Sequence, residues 1–268
     1  MAQKKDTPGR RTVEVEFELP GTPEQVWEAI ATGPGISSWF VPTEVEPREG
    51  GAVKFYLGPD MTSSGHVTGW NPPHRFAYEE PGWNDPAPPL ASEFIIEARS
   101  AGTCTVRVVH SLFTSQEDWD DQLGSMKTGW GPFFRVLAIY LTHFAGLPGA
   151  TGGSTVPYPG TQPAAWDDLR SALGLSAARV GETYDTSPAG GPSLVGRVVS
   201  VTQEGRHCEL TMQLDKPAPG VALLGTHEWA GKVNVAISLY FYGPEAAKTA
   251  EEQGRVWEAW LRKRFQAG

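Results

Sequence analysis

The order of hydrophobic and polar residues near the start of the chain predicts a strand followed by two short helices. Apolar residues and glutamates alternate from Val13 to Leu19, which is the pattern of a half-buried β-strand. Thr22 is a suitable helix N-cap with Gln25 three residues after it, so a helix begins there. After a glycine–proline break, a second helical turn ends at the aromatic pair Trp39 and Phe40. Two helices with aromatic side chains directed toward a sheet indicate one wall of a cavity.

A series of strands and one long helix follow. Turns containing glycine or proline separate segments with strand patterns, which are residues 52–57, 65–70, 75–80, 92–99 and 103–113. From about Ser125, apolar residues recur at three- and four-residue steps, and the resulting helix ends at Gly146 and Pro148. We therefore predict an α+β fold in which a curved antiparallel sheet wraps around this long helix.

The second half of the chain repeats this order of elements more faintly. Residues 148–163 are rich in glycine, proline and threonine, which is typical of a linker. Residues 164–268 show a helix, several strands and a closing helix, without a clear counterpart of the first strand. The sequence thus predicts a disordered tail at 1–12, a complete domain at 13–147, the linker, and a degenerate second unit.

Charge and composition narrow the classes of partner. The 268 residues carry a net charge of −9, which argues against broad electrostatic binding to nucleic acid or to an anionic membrane. No targeting segment follows the polar N-terminus, and no apolar run is long enough to span a bilayer. Cys104 and Cys208 have no paired spacing and are expected to be reduced thiols. Together these features predict a cytoplasmic protein.

His110 is the strongest single candidate for a functional residue. Strand alternation places it on the inward face with Cys104, Val106 and Val108. It could orient a polar group of a ligand or act as an acid or base, or it could be a hydrogen-bonded residue of the cavity wall. The second interpretation is favoured because no carboxylate lies at an obvious distance in the sequence.

The other polar and aromatic candidates are weaker. The acidic pairs Glu79–Glu80, Glu117–Asp118 and Asp120–Asp121 are expected to lie in solvated loops and turns. Trp83 stands in a proline-rich loop, where it could gate a cavity or simply pack against its own loop. No histidine pair has the spacing of a zinc site, and no nucleophile elbow, P-loop or dinucleotide fingerprint occurs. We therefore expect neither a metal nor a cofactor.

Several short motifs in one order carry a family resemblance. They are Thr22-Pro23 with Val26-Trp27-Glu28-Ala29-Ile30, Trp39-Phe40, Gly50-Gly51, Gly65-x-Val67 with Pro72-Pro73-x-Arg75, Thr105-x-Arg107-Val108-x-His110-Ser111-x-Phe113, and Gly129-Trp130. Over residues 13–147 the chain resembles the SRPBCC or START-like (Bet v-like) superfamily and, within it, the family similar to activators of the Hsp-90 ATPase. The resemblance implies a helix-grip fold with a hydrophobic cavity between the sheet and the long helix.

That implied cavity sets the functional expectation. We expect non-catalytic binding of a small hydrophobic molecule in a volume of about 300–1,000 Å³. The predicted lining is Trp39, Phe40, Tyr78, His110, Trp130, Phe133 and Phe134, with Trp83 as a possible gate. One alternative is a cyclase- or aromatase-like enzyme that uses His110 in the same cavity. The other, a chaperone ATPase activator-like co-factor, follows from the family name alone, and the sequence indicates no protein partner.

Overall fold

A computed structural model describes residues 9–58, 61–83, 87–100, 102–114, 120–204, 207–229 and 231–266. These residues form an α+β protein of two compact units, with the boundary after Gly146. Each unit contains one antiparallel sheet and a long helix near its C-terminal end. No helix within the described ranges is long and apolar enough to cross a membrane.

The first unit has the element order that the sequence predicts, with one short strand in addition, at Thr43–Val45. Its elements are β1 (Arg11–Pro20), α1 (Pro23–Ala31), α2 (Gly33–Ser37), β2 (Thr43–Val45), β3 (Ala52–Gly58), β4 (Met61–Asn71), β5 (Arg75–Glu80), β6 (Leu90–Ala98), β7 (Thr103–Leu112) and α3 (Asp120–His143). The seven strands form one sheet in the order β1-β7-β6-β5-β4-β3-β2. The strand β1 begins two residues earlier than predicted, so Arg11 and Thr12 belong to the sheet and not to a tail. Residues 1–8 of the predicted tail lie outside the described residues.

Local capping fixes the pair of short helices, and the sequence predicts the first of the two caps. The Thr22 side chain accepts a hydrogen bond from the backbone N–H of Gln25, whose side chain accepts one from the backbone N–H of Thr22. Thr32 caps the second helix in the same way, by accepting from the N–H of Gly35. The indole N–H of Trp39 then donates to the carbonyl oxygen of Ala29 at 2.9 Å, which ties the end of α2 back to α1.

The second unit follows the same plan with fewer elements. It consists of β8 (Gly149–Tyr158), α4 (Gln162–Ala172), β9 (Thr183–Thr186), β10 (Leu194–Glu204), β11 (His207–Lys216), β12 (Gly220–Trp229), β13 (Lys232–Tyr242) and α5 (Ala246–Phe265). Its sheet has the order β8-β13-β12-β11-β10-β9, so β8 corresponds to β1 and β13 to β7. Within the described residues, no element corresponds to α2 or β2 of the first unit.

The prediction of a linker at residues 148–163 is wrong. Residues 149–158 form β8, which pairs with β13 along its whole length and supplies the counterpart of the first strand. The glycines that suggested a loop serve close packing instead. A Cβ atom on Gly152 would lie 2.3 Å from the carbonyl oxygen of Ala250 in α5, so only glycine allows this approach of the helix.

The long helices of the two units lie against their first strands in different ways. In the first unit, the rings of Phe17 on β1 and Phe134 on α3 stack with their centroids 4.0 Å apart. In the second unit, the backbone of α5 lies directly on Gly152 and Gly153, and Trp166 and Trp257 fill the interior. Bulky rings therefore separate helix from sheet in the first unit, where the sequence predicts the cavity.

Candidate functional site

The first unit contains a cavity of about 250 Å³ between its sheet and the N-terminal half of α3. This volume lies just below the range of about 300–1,000 Å³ that is typical of ligand pockets. The lining residues are Phe40, Phe55, Leu57, Tyr78, Glu80, Leu90, Ser92, His110, Met126, Gly129, Trp130 and Phe133. The cavity is thus mostly apolar, with a small group of polar side chains in its wall.

The register of three neighbouring strands brings most of these polar groups together. Tyr78 on β5 lies opposite Ser92 on β6, and Ser92 lies opposite His110 on β7. Directly opposed residues of antiparallel strands point to the same face of the sheet. The three side chains therefore form one row across the cavity wall, which no single segment of the sequence shows.

Hydrogen bonds join this row to the long helix. The indole N–H of Trp130 donates to Nε2 of His110 at 2.5 Å, and the two rings are nearly parallel, at 7°. Because an indole nitrogen can only donate, the His110 proton resides on Nδ1, which donates to Ser92 Oγ at 2.9 Å. Both ring nitrogens of His110 are therefore engaged within the wall. This geometry agrees with the interpretation of His110 as a hydrogen-bonded wall residue.

Burial holds His110 in its neutral form. Its side chain is 3% exposed, and desolvation lowers its pKa from 6.5 to about 4. A neutral imidazole can accept the hydrogen bond from Trp130, whereas an imidazolium cannot. The wall that surrounds His110 thus carries no positive charge near neutral pH.

Acidification is expected to destabilise the first unit through His110. The unfolded residue titrates near 6.5 and the folded one near 4, so the folded state binds fewer protons between these values. The stabilisation is complete above pH 6.5 and is lost as the pH falls toward 4, by up to about 3 kcal/mol. Urea unfolding at about pH 7.5 and about pH 5 should show a larger loss in the wild type than in His110→Gln.

The exposed His66 supplies the control for this experiment. His66→Gln should keep the pH dependence of the wild type because its side chain is exposed in the folded protein. If the wild type and His110→Gln lost the same stability on acidification, the conclusion that His110 is buried in its neutral form would be contradicted.

Glu80 is the functional candidate that the sequence analysis missed. It was expected in a solvated acidic pair with Glu79, but it is 7% exposed and lines the cavity. The hydroxyl group of Ser63 donates to its carboxyl group, and burial raises the pKa of that group. Alternation along β5 could have revealed this position, since Glu80 shares the inward face with Tyr78 while Glu79 points the other way.

Tyr78 and Glu80 influence each other across this face. Burial, together with the nearby carboxyl group of Glu80, raises the pKa of the Tyr78 phenol well above its usual value, against the opposing effect of the hydrogen bond from Ser92. Tyr78 therefore remains a neutral hydrogen-bond donor and acceptor at physiological pH. The polar part of the wall can exchange hydrogen bonds with a ligand without carrying positive charge.

Five of the seven predicted lining residues do line the cavity: Phe40, Tyr78, His110, Trp130 and Phe133. The other two lie in the core behind this wall. Trp39 is 1% exposed and packs its ring against Trp130 and Phe134, while Phe134 is 2% exposed and stacks on β1.

Trp83 does not belong to the cavity lining among the described residues. Its indole N–H donates to the carbonyl oxygen of Pro88 at 3.0 Å, and its ring packs against the buried pair Leu90 and Leu112. Leu90 is itself part of the lining, so Trp83 lies one residue away from the cavity. Its role as a gate stays a prediction.

The two other acidic pairs named in the sequence fall outside the described residues or within α3. Glu117 and Asp118 fall outside the described residues, whereas Asp120 and Asp121 form the start of α3 and not the loop that was expected. Among the residues that the structure describes, no cluster of three or more histidine, cysteine or acidic side chains could hold a metal ion.

Comparison with known families agrees with the first unit's architecture. Residues 20–142 match the model of the family described as activator of Hsp90 ATPase homolog 1-like protein. The match runs from the end of β1 to the end of α3 and so includes all the cavity-lining residues that the structure describes. No curated protein matches the chain.

Solved structures similar to this chain include one that matches about half of it and two that match nearly all of it. Protein MLL2253 from Mesorhizobium loti is 25% identical, with a TM-score of 0.45, and the match covers 49% of this chain and 97% of that chain. DynU16, a putative protein in the dynemicin biosynthetic locus, is 16% identical with a TM-score of 0.43, covering 93% and 94%. The di-domain ARO/CYC BexL from the BE-7585A biosynthetic pathway is 13% identical with a TM-score of 0.43, covering 96% and 99%. All three TM-scores lie below 0.5, so the fold is assigned from the strands and helices themselves.

Proposed function

We propose that the first unit binds a small, largely apolar molecule, because residues 20–142 match the family of activator of Hsp90 ATPase homolog 1-like proteins and the helix-grip domain that this resemblance implies. The observation that carries this proposal is the cavity of about 250 Å³ under α3. Apolar and aromatic walls with a few placed polar groups are characteristic of small-molecule sites. The hydroxyl group of Tyr78 would fix the orientation of a ligand through its polar group, with Ser92 and His110 holding the wall beside it.

Filling the cavity from the helix side tests this proposal. Gly129 lines the cavity, and a Cβ atom added there would meet no atom within 4 Å. Gly129→Leu is therefore expected to occupy the ligand volume without a clash, and to stabilise α3 by up to about 1 kcal/mol because glycine is a poor helix former. The affinity for ligands that the wild type binds should fall at least about tenfold, since the leucine displaces their apolar contacts.

Gly124→Leu is the matched control for this substitution. Gly124 lies in the same helix, is exposed, and also has open space around its Cβ position, but it does not line the cavity. Native mass spectrometry of the purified chains should show a retained ligand in the wild type and in Gly124→Leu, and its loss in Gly129→Leu. Equal ligand retention in all three proteins would place binding elsewhere.

The carboxyl group of Glu80 favours a second candidate, an acid–base enzyme of the cyclase or aromatase kind. A buried carboxyl group with a raised pKa holds a proton more readily than an exposed one and could pass it to a bound substrate, and the neutral phenol of Tyr78 lies on the same strand face. His110 is less suited to this role because both its ring nitrogens are engaged. The rate at which a poly-β-ketone substrate is converted tests this candidate. An unchanged rate in Glu80→Gln would contradict it.

Activation of a chaperone ATPase is supported by the description of the family alone. Nothing in the geometry of the cavity favours it over ligand binding. Addition of the purified chain to the chaperone, followed by measurement of its ATPase rate, tests it directly.

A further inference from the structure

Glu80 is an acidic side chain whose charge has no cationic partner in the cavity. It is 7% exposed, and its hydrogen-bond partner among the described residues is the neutral hydroxyl group of Ser63. Among the residues that the structure describes, no lysine or arginine lines the cavity. The cation that shares its row of opposed residues, Arg11, is three strands away, at about 14 Å, and has an interaction of its own. An ionised Glu80 therefore lacks the compensation that buried charges normally require.

Aromatic rings line the cavity that Glu80 faces. They belong to Phe40, Phe55, Tyr78, Trp130 and Phe133. The face of an aromatic ring carries partial negative charge and attracts a cation that lies within about 6 Å of the ring centre. The same faces, like the carboxylate, repel an anion. The other polar groups in the wall are neutral, so nothing on the lining favours a carboxylate or a phosphate.

We propose that this cavity selects a small organic cation, namely a protonated amine that donates to the carboxylate of Glu80 while its apolar body lies against the aromatic rings. This inference rests on the proposed ligand-binding function and names the chemical class of the ligand. The amine supplies the positive charge that the wall lacks, and the ionised Glu80 supplies the acceptor. A neutral ligand of the same shape satisfies the rings but brings no positive charge to Glu80.

Matched probes separate the contribution of charge from that of shape. Benzylamine and 2-naphthylmethylamine are compared with the corresponding alcohols and carboxylates by isothermal titration calorimetry at neutral pH. The benzyl and naphthylmethyl compounds form two series of different size. In the series whose size fits the cavity, the amine is expected to bind the wild type at least about tenfold more tightly than the alcohol. The carboxylate is expected to bind more weakly than either.

Two variants assign this preference to one carboxyl group. Glu80→Gln keeps the size of the side chain and an oxygen that can accept from Ser63, but removes the charge. It is expected to lower amine affinity about tenfold and to leave alcohol affinity within about threefold. Glu79→Gln removes the same charge from the opposite face of β5, so its amine affinity should stay within about threefold of the wild type because solvent screens that position.

The outcomes distinguish this inference from the function on which it rests. The proposal of a cationic ligand is overturned if the alcohol binds the wild type as tightly as the amine. It is also overturned if Glu80→Gln keeps the preference for the amine. In both cases the proposal of ligand binding stands. If no probe of either size binds the wild type, and native mass spectrometry also finds no retained ligand, both proposals fail.

Discussion

Gly152→Val is expected to unfold or severely destabilise the second unit, by at least about 3 kcal/mol. A Cβ atom on Gly152 would lie 2.3 Å from the carbonyl oxygen of Ala250 and 3.2 Å from its Cα atom. Both atoms belong to the helix backbone, so no side-chain rotation relieves the clash. The helix α5 must then move away from β8, which opens gaps around the buried Trp257 and Leu261.

Amide hydrogen exchange read by mass spectrometry checks this prediction because it reports on the peptides of each unit separately. Thr155→Val is the control: it introduces the same side chain at an exposed position of the same strand and should change stability by less than about 0.5 kcal/mol. Wild-type protection of the α5 peptides in Gly152→Val would contradict the close contact between this helix and β8.

Trp39→Ala should cost the first unit about 3–5 kcal/mol of unfolding free energy. The ring is 1% exposed, packs against Trp130 and Phe134, and donates its N–H to the carbonyl oxygen of Ala29 at 2.9 Å. Its removal leaves an empty space in the core behind the wall of the cavity. It also leaves the buried carbonyl group of Ala29 without its hydrogen bond from the indole.

Trp70→Ala supplies the comparison because Trp70 is only half-buried and packs on Trp27 at the sheet surface. It should cost about 1–2 kcal/mol. Urea unfolding, followed by hydrogen exchange of the first-unit peptides, measures both values. If Trp39→Ala cost no more than Trp70→Ala, Trp39 would not be the core residue that the structure describes.

Much of the first unit follows from local patterns in the sequence. The capping box at Thr22 and Gln25 involves residues three positions apart, so the sequence alone specifies it. The inward side of His110 follows from the alternation along its strand. In both cases the deciding interaction is local, and the structure confirms it.

Other features depend on contacts that join distant segments. Trp39 and Phe40 are adjacent aromatic residues with the same apolar character, yet only Phe40 reaches the cavity. Which of them does so is decided by the position of α3, about ninety residues later. The chain from Gly149 to Tyr158 has the composition of a loop, and only its pairing with β13 makes it a strand.

The sequence by itself determined most of the order of elements in the first unit, the resemblance of that unit to a known family, and the presence of a second, reduced unit. The tertiary structure decided which residues face the cavity, how large that cavity is, and that Glu80 lies in its wall. The physical reason is that periodicity and capping act over a few residues, whereas burial depends on the distance between helix and sheet. Phe17 and Phe134 occupy that distance in the first unit, and the Gly152 backbone contact closes it in the second.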